Sequence, residues 1–254
     1  MKVFGVIITY HPDAARLEAC LSAVRPQVDE VVLLDNSREN RGVAAALNEG
    51  MRRASEAGAD FVLSLDQDSI LPPDAVHKML AYASVHPEVA QIGPRWSEEP
   101  AGCRDVAHLI TSGSLLRLSA WREAGPFREA YFIDAVDIEY SCRLRARGCR
   151  VVCCGDVVLD HRLGDGLQGW DILGKKRLGY IGHPPLRIYY MLRNALYFAA
   201  EYRTAEARQY LRRVRRTIRR MLLQSPERAA VWQYACRARK DYRAGVTGAF
   251  IGNP

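Results

Sequence analysis

FVLSLDQDSILPPD, residues 61–74, passes from a continuous apolar run to a pair of carboxylates, Asp66 and Asp68, and then to two prolines. Phe61 to Leu65 predicts a buried strand, and Pro72 and Pro73 forbid its simple continuation because proline has no N–H for the ladder. Alternation along an extended chain turns residues 66 and 68 to the same side, at the rim of a sheet. Two readings meet there. Asp and Ser are common turn residues, so the segment fits a solvated strand end. Two adjacent carboxylates also suit magnesium or manganese, which prefer oxygen ligands and are often held by one or two acids plus a substrate's phosphates.

Working outward, the first 70 residues alternate strand and helix signals. Val3 to Thr9 is an apolar run, Asp13 to Ala23 has helical spacing, Val31 to Leu34 is a second strand, and Val43 to Ala57 a second helix before Phe61. This βαβαβ pattern predicts an α/β chain with a Rossmann-like, mostly parallel sheet flanked by helices. Ligands of such sheets bind beyond the carboxyl ends of the strands. Each strand ends in polar groups: Thr9, Tyr10 and His11; Asp35, Asn36 and Ser37; Asp66 and Asp68. Three clusters on one edge predict a crevice. Gly42 in NRGVAAALNEG permits a tight approach just before a helix whose N-terminus suits phosphate or sugar.

Beyond residue 75 the spacing predicts a helix over Ala75 to Val85, strands over Val89 to Gly93 and over Val106 to Leu118, and a short helix over Trp121 to Gly125. Tyr131 to Arg147 reads as an acidic turn running into an arginine-rich helix, and Val151 to Leu159 as a strand. HRLGDGLQGW, residues 161–170, reads as a glycine-rich lid. From about 186 onward the chain reads as helical. In YLRRVRRTIRRMLL, Leu211, Val214, Ile218, Met221 and Leu222 fall at helical spacing among arginines. That helix either packs on its own domain with a solvated basic face or lies on an anionic lipid surface.

The composition is that of a soluble globular protein: 48% hydrophobic and 26% charged residues in 254. No apolar stretch approaches the roughly 20 residues that span a bilayer, and the N-terminus lacks a signal peptide's cleavage region. The expected location is the cytoplasm, with the inner face of the cell membrane as the place of the basic tail. Seven cysteines without a CxxC pair read as buried thiols. The net charge of +7, concentrated as arginine in the last fifth, predicts an anionic partner. Nucleic acid fits poorly, because an acidic crevice has no part in binding it.

The second acidic constellation, FIDAVDIEYSCRLRARG, holds Asp134, Asp137 and Glu139 ahead of Arg143. Acids in a helix's first turn are stabilised by the dipole, and one of them can instead take the proton of an attacking hydroxyl. The order VIITYHPD, LLDNS, NRGVAAALNEG, LSLDQDS, TSGSL, FIDAVDIEYSCRLRARG, DHRLG, RIYYMLRN over residues 3 to 194 resembles the inverting family 2 glycosyltransferases of GT-A fold. Within them it is similar to bacterial rhamnosyltransferases of cell-surface polysaccharide synthesis. The resemblance implies a GT-A domain over 1–200 and a basic helical extension over 201–254. It implies that Thr9, Tyr10 and Asp35 hold nucleobase and ribose, with Asn36, Gly42 and Asn48 lining the same crevice. Asp66 and Asp68 match the DxD acids, Asp68 as direct ligand of a divalent cation, Mg or Mn, and Asp66 near ribose or metal. Asp137, with Glu139 two and Arg143 six positions later, matches the base; Asp134 competes as base or acceptor ligand, and Glu139 joins it on the acceptor side.

Five further residues have more than one reading. His161 completes the metal site or binds diphosphate, or is a hydrogen-bond partner after a strand. Arg187 and Arg193 clamp the leaving diphosphate or an acceptor phosphate, or pack along a core helix with Tyr189 and Tyr190. Ser112 and Gly113 let the sugar approach the backbone, or mark a strand kink.

The implied reaction is transfer of a deoxyhexose, L-rhamnose from dTDP-rhamnose, to a saccharide or lipid-linked acceptor. The partners would be the nucleotide sugar, the acceptor and a membrane surface met by the basic tail, with a homo-oligomer compatible. Alternatives are a UDP-linked donor, a sugar nucleotidyltransferase, and a non-catalytic sugar-binding scaffold. The nucleotidyltransferase would carry a glycine-rich, lysine-containing loop after the first strand, which ITYHPD is not.

Overall fold

The computed structural model describes residues 1–95, 100–161, 166–168 and 180–252. Its first compact unit comprises residues 1–129 and 136–161. Here β1 (Val3–Thr9), β2 (Glu30–Asp35) and β3 (Phe61–Asp66) alternate with α1 (Ala14–Val24) and α2 (Val43–Glu56). Then follow α3 (Ala75–Val85), β4 (Val89–Arg95), β5 (Cys103–Asp105), β6 (Ser114–Arg117), α4 (Leu118–Ala124), α5 (Val136–Ala146) and β7 (Arg150–Val158). The seven strands form one mixed sheet in the order β2-β1-β3-β6-β4-β7-β5, with β6 and β5 running against the other five.

The order places β1 between β2 and β3. Both connections must be right-handed, so α1 and α2 cover opposite faces and the strand order reverses beside β1. Burial follows the alternation of side chains. Val3, Ile7, Leu63 and Leu65 join Leu21 and Val24 of α1 and Met79 of α3 in one core, each buried. A full side-chain burial of this kind contributes about 1.5–3 kcal/mol. On the other face α2 comes so close to β1 that a Cβ on Gly50 would stand 2.5 Å from Val6 Cγ1. Asp13 caps α1, its carboxylate accepting from the Arg16 N–H at 2.8 Å.

The expected strand over Val106 to Leu118 is instead an irregular segment, a short β6, and the first residue of α4. The TSGS run is what interrupts it. Gly113 sits at φ 78°, and a Cβ there would meet Pro94 Cγ at 2.7 Å, so the chain turns where only glycine fits. Similarly, β3 stops at Asp66, and Asp68 lies in a turn closed by the Ser69 N–H donating to the Asp66 carbonyl. Strand alternation therefore does not govern residue 68.

The second unit comprises residues 130–135 and the described part of 162–254. It holds a short pair, β8 (Leu167–Gln168) with β9 (Tyr180–Ile181), and three helices, α6 (Pro185–Tyr202), α7 (Ala205–Gln224) and α8 (Arg228–Arg243). Most of the proposed lid, residues 162–165 and 169–170, lies outside the described residues. The apolar stripe of α7 is Ala207, Tyr210, Val214, Ile218 and Met221, all buried, and α7 packs with α6 and α8. Of the two readings of this helix, its apolar face takes the internal one. Leu211 and Leu222 lie at the stripe's margin, half-buried.

Candidate active site at the carboxyl ends of the central strands

Register brings the first three clusters level. Thr9 pairs with Asp35 across β1 and β2, and Ile8 pairs with Asp66 across β1 and β3. Thr9 Oγ1 stands 3.4 Å from Asp35 Oδ1. The same oxygen accepts from the Ser37 backbone N–H at 2.8 Å, and Ser37 Oγ accepts from His11 N–H at 2.9 Å. Hydrogen bonds from Ser37, side chain and then backbone, hold the Asp35 carboxyl below its ordinary range, with Thr9 and the Arg38 charge adding to them. Asp35 is thus an exposed, ionised acceptor.

Asn36 is buried, donates Nδ2 to the Gly42 carbonyl at 3.2 Å, and has an Oδ1 with no partner among the described residues. Gly42 itself, at φ 85°, precedes α2. Asn48 is committed elsewhere. Its amide donates to Phe127 O at 2.9 Å and Glu129 Oε1 at 2.8 Å and accepts from the Phe127 N–H at 2.7 Å, so it fixes that loop to α2.

The two DxD carboxylates share one neighbourhood. Burial raises the Cys20 thiol to about 11, and the charges of Asp68 and then Asp66 add to the rise while Arg16 opposes it. The Cys20 thiol itself lies 3.7 Å from the Asp66 carbonyl oxygen, two residues before Asp68. Among the described residues nothing pairs with the Asp68 side chain, whose backbone carbonyl accepts from Arg16 Nε at 2.7 Å. Arg16 also reaches Asp160 Oδ2 at 3.0 Å.

A relay of hydroxyls ties the strand end to His161. Ser112 Oγ accepts from the Asp66 N–H at 3.0 Å and donates to Ser69 Oγ at 2.7 Å, and Ser69 stands 2.8 Å from His161 Nδ1. Read in that direction, Nδ1 accepts and Nε2 carries the proton of the neutral ring. For Nε2 to ligate a cation, the ring proton must sit on Nδ1, which then donates its hydrogen bond to Ser69 Oγ. The donor set fits a hard cation: two carboxylates two residues apart, one without a competing partner among the described residues, and an imidazole with a polar second contact. Among the described residues no group of three acids, histidines or cysteines is already gathered for a metal.

Asp137 lies in the first turn of α5, half-buried, its Oδ1 accepting from the Ile138 N–H at 2.8 Å. Glu139 is wholly buried and bound to Arg143 at 2.9 Å, with Arg128 at 3.6 Å. The acid and the arginine of the motif are thus joined as a scaffold pair.

Within the second unit, Arg187 forks onto Asp134 at 3.1–3.2 Å. Arg193 is fully buried. It donates to Tyr189 Oη, Gly248 O, Asn194 Oδ1 and the carbonyls of Ala130 and Tyr131, and faces the rings of Tyr189 and Tyr190. It has no open surface to offer a diphosphate, and of its two readings the structure has it packing along the core helix.

Sequence reasoning passed over Arg16, Ser69, Gln67 and Asn194. Gln67, between the two acids, accepts from the Tyr10 N–H at 2.6 Å and donates to the Tyr10 carbonyl at 3.1 Å, prolonging the β1–β3 pairing past the strands. Its place inside DQD was the available signal.

A mixed sheet with helices on both faces and an acidic rim at its carboxyl edge is the GT-A glycosyltransferase fold, and solved structures agree. GalNAc-T7 with UDP, GalNAc and Mn2+ superposes with a TM-score of 0.59 at 11% identity, over 97% of this chain and 56% of that one. S. aureus TarS 1-349 in complex with UDP-GlcNAc gives 0.53 at 12% identity, over 96% and 92%. Residues 36–132 match the family model Glycosyl transferase family 2. The dTDP-rhamnosyl transferase RfbF of Shigella flexneri is 25% identical over 237 residues, 76% of this chain and 78% of that protein. By sequence the chain is therefore similar to family 2 glycosyltransferases over residues 36–132 and to a dTDP-rhamnosyl transferase over most of its length.

Proposed function

We propose that this protein transfers L-rhamnose from dTDP-rhamnose to a hydroxyl of a saccharide or lipid-linked acceptor, inverting the anomeric carbon. The observation that carries the reading is the acidic rim of Asp35, Asp66 and Asp68 in a chain similar to a dTDP-rhamnosyl transferase. Thr9, Tyr10 and Asp35 receive nucleobase and ribose, and the unpartnered Oδ1 of Asn36 is an acceptor for a ligand N–H or O–H. Ser112 and Gly113 shape the strand end behind Asp66 rather than open space for the sugar, Ser112 Oγ accepting the Asp66 N–H and Gly113 packing on Pro94. Asp66 and Asp68, with His161, would hold a magnesium or manganese ion, which when bound supplies positive charge to the departing diphosphate.

In the reaction the acceptor O–H proton passes to the Asp137 carboxylate. The hydroxyl oxygen bonds to the anomeric carbon from the face opposite the diphosphate, and the bond to the diphosphate oxygen breaks, releasing dTDP. Asp134 belongs to the acceptor side. The catalytic role is assigned to residues 1–200. The basic helices of 201–254 would meet an anionic membrane carrying the acceptor, at the inner face of the cell membrane. Their buried apolar stripe leaves charge as the means of contact.

A screen of dTDP-rhamnose against UDP-linked sugars, with manganese and a series of octyl glycosides, tests this. dTDP release faster from dTDP-rhamnose than from any other donor, and dependent on acceptor, is expected. Preference for a UDP-sugar replaces the donor, and binding without turnover of any donor leaves the scaffold reading standing instead.

A further inference from the structure

Residues 132–135 run Phe-Ile-Asp-Ala, and three of the four take left-handed backbone: Phe132 at φ 65°, Asp134 at 64° and Ala135 at 64°. Asp tolerates this region, but Phe and Ala pay a steric cost there because Cβ crowds the carbonyl. Such a course persists only where surrounding groups over-determine it.

The surroundings are two neighbouring side chains of α6. Asn194 Nδ2 lies 2.8, 2.7 and 3.1 Å from the carbonyl oxygens of Tyr131, Ile133 and Asp134. Its amide orientation is fixed, because Oδ1 accepts from Arg193 Nε at 3.1 Å and so cannot face the carbonyls. Arg193 Nη2 reaches the Ala130 and Tyr131 carbonyls at 3.4 Å. Tyr190 stacks on Phe132 with centroids 5.1 Å apart, and Arg187 forks onto the Asp134 carboxylate. A core would be stabilised as well by apolar side chains as by a buried guanidinium and amide. Here Asn194 Nδ2 and Arg193 Nη2 are both directed at one six-residue segment, and Arg193 Nη1 divides between Tyr189 Oη and Gly248 O, Gly248 in turn donating to Ala130 O at 2.7 Å.

We propose that Arg193 and Asn194 are positioning residues for the acceptor-side carboxylate Asp134: they hold residues 130–135 in a left-handed course, and Arg187 orients the carboxylate that this course presents. The inference rests on the proposed acceptor role of that segment. It gives the RIYYMLRN motif a task in addition to its packing along the core helix.

The test uses the full chain with Asn194→Ala and, as a variant at a more exposed side chain, Arg187→Ala. Three quantities are read: hydrogen exchange of the 130–135 amides, the Kd for dTDP with manganese, and kcat and acceptor KM with dTDP-rhamnose and the octyl glycoside that wild type uses best. Asn194→Ala should speed exchange in 130–135 by at least about tenfold and lower kcat/KM for acceptor about 100-fold, the scale of a small misplacement of a reacting group. The Kd for dTDP should stay within about twofold. Arg187→Ala should leave exchange of the segment slow and raise acceptor KM. Unchanged exchange in Asn194→Ala, or loss of dTDP affinity in step with transfer, overturns the proposal. If Asn194→Ala does not fold, an Arg187→Ala protein with wild-type acceptor KM overturns it equally. Absence of turnover in wild type is a different result, which sinks the transferase reading while the exchange measurement still decides the clamp.

Discussion

Asp137 and Asp68 have separable duties under the proposed reaction, and substitution divides them. Asp137→Asn should lower kcat by about 10²–10⁴, the usual worth of a general base, with dTDP affinity unchanged. Asp68→Asn should instead abolish the manganese dependence of dTDP binding; isothermal titration with and without the ion distinguishes the two. Asp35 gives a pH signature. Its carboxyl is held low by Ser37, so the ionised form is favoured by folding above the ordinary carboxylate pKa, and that preference is lost as pH falls through the lower folded value. Ser37→Ala should move the Asp35 titration upward, toward its ordinary value, in carboxyl-detected NMR; an unmoved midpoint discards the Ser37 account. The strand-end acids were legible because an apolar run followed by acids is a local pattern. Asn194 and Ser69 were not, since their value lies in partners 60 to 63 and 92 residues away, which no spacing rule reaches. Glu139 and Arg193 misled for a related reason: the same residue types serve a ligand or a buried pair, and burial alone separates them.

At the scale of elements, α2 is held against β1 by the lack of a side chain at Gly50. Alanine there would stand 2.5 Å from a β-branched Val6 that has little rotamer freedom, so Gly50→Ala should cost about 1–3 kcal/mol in urea unfolding despite alanine's better helix propensity. A stabilised variant would mean that α2 can shift freely on the sheet. At the other end of the chain, Thr204 caps α7 by accepting from the Ala207 N–H at 3.1 Å, and Thr204→Ala should cost about 1 kcal/mol by the same measurement. The βαβαβ half was readable to within two residues because β1 and β3, buried on both faces, appear as unbroken apolar runs, the edge strand β2 keeps a short apolar run, and the helices show a 3.6-residue period. Residues 106–118 were not, because the feature that breaks the strand is a left-handed glycine packed on Pro94, a contact between segments far apart in sequence.

For the molecule as a whole, charge is distributed against the mean. Residues 201–254 contain thirteen Lys and Arg and four Asp and Glu, more than the whole chain's excess of +7, which leaves the first 200 residues slightly acidic. Arg208, Arg212, Arg215, Arg216 and Arg219 are exposed on α7, and at 100° per residue they lie opposite its buried stripe, with the exposed Leu223 among them. A helix that inserts an apolar face into lipid resists salt, whereas one that offers only arginines is held by a potential that fades within a Debye length, about 10 Å at 0.1 M. The stripe being consumed inside the second unit, adsorption to anionic vesicles should be strong at low salt and lost near 0.5 M, and absent on zwitterionic vesicles. Each arginine near such a surface is worth about 1 kcal/mol, so Arg212→Gln, Arg215→Gln and Arg219→Gln together should weaken binding by about 3 kcal/mol, roughly 100-fold in vesicle co-sedimentation. Because these positions are solvent-exposed, the triple variant should keep its thermal midpoint. Transfer to a water-soluble octyl glycoside should then be unaffected while transfer to a membrane-borne acceptor falls, and salt-resistant binding by the triple variant would discard the electrostatic account.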